Sequence, residues 1–145
     1  DAGLQRLYGY QHDDGGWGWW KDDATDIYQT AWVVFGLSVT KEARYPVDAQ
    51  VIERGATYLQ QQIALLRPRL ILAVGRIAAQ NLLKTDTPLA RLRGRVHRYG
   101  EAQTPLIVTY HPAYLLRTPG DKRKAWEDLQ LAQRIFRELQ AGRPV

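Results

Sequence analysis

The chain has no cysteine and no methionine among its 145 residues. Without cysteine it forms no disulfide, carries no thiolate nucleophile, and offers no ligand for a Cys-coordinated zinc or an all-cysteine iron–sulfur cluster. The missing methionine, initiator included, points to an excised or processed segment. No apolar run approaches the ~20 residues that cross a bilayer. No charged, apolar and small-residue series resembles a signal peptide, so a cytoplasmic location with no membrane partner is the expectation. No tandem repeat is visible. What remains is ordinary for one globular domain: 45% apolar and 24% charged residues.

The charge is divided unevenly. Residues 1–60 hold five basic and nine acidic residues, a balance of −4, and residues 61–145 hold fifteen and six, a balance of +9. An acidic half joined to a basic half suggests a nucleic-acid or acidic-surface partner for the basic one. A merely soluble basic face is the alternative.

The first thirty residues are rich in Gly, Asp and Trp, and Gln11 to Trp20 reads as turns because Asp-Gly and Gly-Gly tolerate positive φ. Thr25 or Asp26 caps a helix whose residues from Ile27 to Thr40 are apolar on nearly every side, as in helices buried by neighbours. Its β-branched content leaves a strand open. Asp48 caps a second helix with Ile52, Ala56, Leu59, Ile63 and Leu66 at helical period, and Arg67-Pro68 ends it. Leu70 to Val74 reads as a buried parallel strand, Arg76 to Leu83 as a helix, and Arg91 to Arg98 as an arginine-rich loop. Leu106 to Tyr110 reads as a second strand, His111 to Gly120 as a loop, and Ala125, Leu129, Ala132, Phe136 and Leu139 as a final helix. The five aspartates Asp13, Asp14, Asp22, Asp23 and Asp26 lack EF-hand spacing and read as turn and capping residues rather than a cation site. The tryptophans read as a packed cluster, with a ligand platform as the alternative.

Two resemblances run through the chain. Gln11-x-x-Asp14-Gly15-x-Trp17, Thr30 to Val34 and Ile52-x-Arg54-Gly55-x-x-Tyr58-Leu59 resemble one repeat of the α/α-toroid proteins, closest to the thioester domain of bacterial α2-macroglobulin-like proteins and more distantly to terpene cyclases. The resemblance implies that Trp17 packs on a tight turn and Gln11 caps a helix end. The reactive thioester needs a Cys, so no proteinase-trapping chemistry carries over. The second runs from Tyr58-Leu59-x-x-Gln62 through Leu70 to Gly75-Arg76, Leu92-Arg93-Gly94-Arg95-Val96-His97 and Pro105 to Tyr110, ending in His111-Pro112-Ala113-Tyr114-Leu115-Leu116-Arg117. This series is similar to the C-terminal half of the iron–sulfur, family 4 type uracil-DNA glycosylases.

That second resemblance implies an α/β fold: an incomplete parallel sheet with flanking helices, preceded by a toroid-like helical pair. It implies a site as well. His111 donates to a uracil carbonyl as negative charge develops on the departing base. Pro112 biases His111 to extended backbone. Leu115 and Leu116, with Tyr114 beside them, form the apolar wedge for a flipped base. Arg91, Arg93, Arg95, Arg98, Arg117 and Lys122 hold phosphates. Bland roles stand beside each: a structural His, a core Leu pair, a solvated first turn around Lys122. The family's front half, with its acidic, stacking and base-reading residues, has no counterpart before Tyr58. Gly55 stands about where the last cluster cysteine belongs, so no cofactor or metal is expected. Segments 1–60 and 61–145 then read as a fusion of two family fragments, natural, recombined or designed, whose sharing of a core and oligomeric state are left open. The function expected is weak, salt-sensitive DNA binding without catalysis. The alternatives are a ligand-free scaffold and a residual uracil-excising enzyme.

Overall fold

A computed structural model describes residues 2–145. It divides into two compact units, Asp1–Arg67 and Pro68–Val145.

The first unit is helical, with α1 (Ala2–Tyr8), α2 (Ile27–Glu42) and α3 (Ala49–Leu66). Asp26 is the N-cap of α2, accepting from the Gln29 N–H at 2.8 Å, and Asp48 is the N-cap of α3, accepting from the Gln50 N–H at 2.8 Å. Each satisfies a backbone donor that the first turn leaves unpaired. Arg67 ends α3 in the left-handed region (φ 45°), and Pro68 cannot continue the helix.

The core of this unit is Trp17, Leu37 and Val51, with Leu4, Leu7, Val33, Val34 and Ile52 packed around them. Trp17 is 2% exposed. Its indole N–H donates to the Leu7 carbonyl at 3.0 Å, and its backbone N–H donates to Thr30 Oγ1 at 2.9 Å. Gln11 is no helix cap. Its side-chain amide donates to the Gly15 carbonyl (2.8 Å) and the Val51 carbonyl (3.0 Å), pinning the turn onto α3. Asp14 accepts from the Gly16 N–H and the Thr25 hydroxyl, and Asp23 accepts from the Trp19 and Trp20 N–H groups. Turn and cap roles therefore account for Asp14, Asp23 and Asp26.

Two expectations fail here. The tryptophans form no shared cluster, because Trp19, Trp20 and Trp32 are exposed while Trp17 is buried. Nor is α2 buried all round: Tyr28, Trp32, Phe35 and Val39 stand on an exposed stripe. The reason is geometric. Within this unit α3 packs on one side of α2 and leaves this stripe uncovered.

The second unit is α/β, as expected. Its elements are β1 (Ile71–Val74), α4 (Arg76–Leu83), α5 (Leu89–Leu92), β2 (Val96–Tyr99), β3 (Thr104–Thr109), α6 (Pro112–Arg117), a 3₁₀ turn at Pro119–Asp121, and α7 (Lys122–Gln140). The strand order is β1-β3-β2. β1 runs parallel to β3, with Ile71 opposite Leu106 and Val74 opposite Thr109. β2 runs antiparallel to β3, with Val96 opposite Ile107 and Tyr99 opposite Thr104. The sheet is therefore mixed rather than parallel. The stretch read as an arginine-rich loop, Arg91 to Arg98, overlaps the end of α5 and most of β2, the strand forming because pairing with β3 overrides a sequence of weak strand character.

Central strand β3 alternates across the sheet. Leu106 and Val108 pack with Ala73, Ala79 and Leu92 under α4 and α5, and Ile107 packs with Ala132 and Ile135 of α7 on the other face. Among the described residues no helix is long and apolar enough to cross a membrane.

Candidate nucleic-acid interface

The parallel strands β1 and β3 end side by side, and the loops leaving them meet. Gly75 takes φ +92°, its N–H donates to the Thr109 carbonyl at 2.8 Å, and a Cβ there would lie 3.1 Å from the His111 Cβ. Only glycine lets the turn after β1 pass so close to His111.

His111 follows the C-terminal end of β3, where ligand sites of α/β sheets form. It is also the N-cap of α6, and Pro112 supplies the preset φ of a first helical residue. The loop expected over residues 111–120 is thus a helix for six residues. His111 Nδ1 accepts the Ala113 N–H at 3.1 Å. A nitrogen that accepts carries no proton, so in the neutral ring the N–H sits on Nε2, the arrangement that donates to a carbonyl oxygen.

The other residues assigned to the site separate into two groups. Arg91, Arg95, Pro112, Leu116, Arg117 and Lys122 are exposed and Leu115 is half-buried, with Leu116 at 77% exposure. Arg98 is exposed but donates to the Gln103 carbonyl (3.2 Å) and to the Val145 carbonyl. Arg93 is turned inward. Its Nε donates to Asp128 Oδ2 at 2.9 Å, with side-chain exposures of 14% and 0%. Its Nη2 donates to the Lys124 carbonyl, and its guanidinium carbon lies 5.4 Å from the centre of the Tyr110 ring. Tyr110 stacks on Tyr114, centroids 4.9 Å apart and planes 21° from parallel. The Tyr114 hydroxyl donates to Asp121 Oδ2 at 2.6 Å, and Lys124 Nζ pairs with Asp121 Oδ1 at 2.7 Å.

These bonds perturb the groups that make them. The Lys124 ammonium and the Tyr114 hydroxyl hold the Asp121 carboxyl below its ordinary range. The hydrogen bond to Asp121, with burial, raises the Tyr114 phenol, and Asp121 raises Lys124.

The sequence reading assigned no role to Asp121, Asp128 or Tyr110. Nothing in local pattern marks Arg93 and Asp128 as partners 35 residues apart. The His111 cap lies in a stretch expected to be a loop, and the one signal for it is Pro112 at the first helical position.

Residues 5–130 match the family described as the uracil DNA glycosylase superfamily. The chain belongs to that superfamily. Among curated glycosylases of this superfamily, it is 35% identical to the type-4 uracil-DNA glycosylase of Pyrobaculum aerophilum over 90 residues, 58% of this chain and 46% of that protein. It is 36% identical to the type-4 uracil-DNA glycosylase of Archaeoglobus fulgidus over 75 residues, 47% of this chain and 37% of that protein. It therefore spans less than half the length of either glycosylase. A third similarity supports the chimeric reading: 46% identity over 59 residues to an alpha-2-macroglobulin of Thermotoga maritima, covering 41% of this chain and 4% of that protein.

The iron–sulfur cluster of the family named in the sequence resemblance does not fit these residues. The donor set is missing, since the chain has no cysteine. The place where the resemblance puts the last ligand is closed as well: a Cβ at Gly55 would lie 2.5 Å from Val34 Cγ2 and 2.8 Å from Trp17 Cζ3.

Proposed function

We propose that this chain is a nucleic-acid-binding member of the glycosylase superfamily that does not cleave the glycosidic bond and carries no metal cluster. The observation that supports this most is the surface around α6. Leu116 and Arg117 project from a helix capped by His111, and Arg91, Arg95 and Lys122 are exposed in the same basic unit. Such a surface supplies phosphate contacts and an apolar side chain that inserts beside an unstacked base.

The chemistry of excision needs more than this. A neutral His111 that donates from Nε2 stabilises charge on a departing base, but water must also be activated. Of the carboxylates beside the loop, Asp121 is held by Tyr114 and Lys124, and Asp128 is fully buried with one oxygen bonded to Arg93.

The test is a fluorescence-anisotropy titration with single- and double-stranded oligonucleotides at two salt concentrations. If the four exposed cations all engage phosphates, the logarithm of affinity falls against log salt with a slope of roughly −3 to −4 on duplex. Affinity that is the same at low and high salt excludes the reading. In parallel, a uracil-containing oligonucleotide incubated with excess protein should yield no abasic product. Release of uracil that disappears in His111→Ala would instead establish a working glycosylase.

A further inference from the structure

We infer that Arg93 is a positioning residue, the base of a clamp that fixes the pose of α6, and not a phosphate contact. Its charge is already neutralised inside the unit by Asp128, which is fully buried and 2.9 Å away. A phosphate could take Arg93 only by stripping that carboxylate of its cation, a strongly unfavourable exchange for a buried charge.

The outer parts of the guanidinium bind the loop. One nitrogen donates to the Lys124 carbonyl at the start of α7, and the guanidinium lies over the Tyr110 ring. Tyr110 carries the Tyr114 ring, and the Tyr114 hydroxyl returns to Asp121, which Lys124 also holds. Tyr110 and Tyr114 bracket the three residues His111, Pro112 and Ala113. Both tyrosines are thus tied to residues 121–128, directly or through Arg93. Sheet pairing ends at Thr109, so beyond it this stack sets how Leu115, Leu116 and Arg117 are presented.

The consequence for nucleic acid rests on the DNA-binding reading; the clamp itself does not. The experiment uses the full chain with Arg93→Lys, Tyr114→Phe and, for comparison, Arg117→Gln. Hydrogen exchange of residues 112–117 is measured without DNA, and anisotropy with a single-stranded oligonucleotide is measured at several salt concentrations. Arg93→Lys keeps the positive charge but loses the planar fork and the stacking face.

If the clamp exists, Arg93→Lys and Tyr114→Phe exchange faster over 112–117 by roughly tenfold, the factor that losing one hydrogen bond to a charged group corresponds to. They also lose DNA affinity while the salt slope stays the same. Arg117→Gln should do the reverse, leaving exchange unchanged and reducing the slope by about 0.7. Unchanged exchange and affinity in Arg93→Lys and Tyr114→Phe overturn the clamp. Should the unmodified chain fail to bind DNA at low salt, the DNA-binding reading falls and exchange alone decides the clamp. Should Arg93→Lys not fold, Tyr114→Phe decides it.

Discussion

A methyl group added at Gly55 would run into both Trp17 and Val34, so the residue that stands in for a cluster ligand is in fact a packing contact of α3. Gly55→Ala is therefore expected to lower stability by about 1–3 kcal/mol through overpacking, even though alanine is the better helix former. Urea denaturation followed by tryptophan fluorescence reads this directly, and a more stable variant would contradict the packing account. Thr30 is the polar counterpart. It is fully buried, accepts the Trp17 N–H, and donates to the Asp26 carbonyl at 2.8 Å. Thr30→Val keeps the shape and strands the Trp17 donor, a loss of about 1–3 kcal/mol. The same titration checks it, and a change under 0.5 kcal/mol would mean that the donor finds another partner.

The element α6 depends on its surroundings, since six residues do not hold a helix in water by themselves. Its attachment through Tyr114 and Asp121 sets a pH window. The folded Asp121 carboxyl titrates below its unfolded value, so its contribution is present above the unfolded pKa and is lost as pH falls through the folded one. Tyr114 and Lys124 are raised, so their contributions are complete below their unfolded values and are lost as pH rises through the folded ones. Hydrogen exchange of residues 112–117, corrected for its intrinsic pH dependence, should show strongest protection near neutrality and less on both sides. Protection that stays flat from acid to neutral pH would remove Asp121 from the clamp. At this scale the helix ends were readable from single residues: Asp26, Asp48, and Arg67 before Pro68 lie where capping chemistry puts them. β2 was not readable, because the only signal for it is its register against β3.

For the whole molecule the governing quantity is the segregation of charge, −4 in residues 1–60 against +9 in residues 61–145. Replacing Arg91, Arg95 and Arg117 together by Gln should flatten the duplex salt slope by roughly 2–3. Melting should change little, because substitutions at exposed sites away from special contacts stay within about 0.5 kcal/mol each. A slope that survives the triple substitution would place the phosphate contacts elsewhere. The sequence by itself determined the glycosylase resemblance, the α/β character of the second unit, the Asp26 and Asp48 caps and the place of His111 after a strand, because each is written in neighbouring residues or in a contiguous motif. Only the tertiary structure decided that Arg93 faces inward while Arg91 and Arg95 do not, that α2 keeps an exposed aromatic stripe, and that Gly55 has no room for a side chain. Those facts depend on groups brought together from 21 to 38 positions apart, such as Arg93 with Asp128 or Trp17 with Gly55, and no local pattern records which distant partner a side chain will meet.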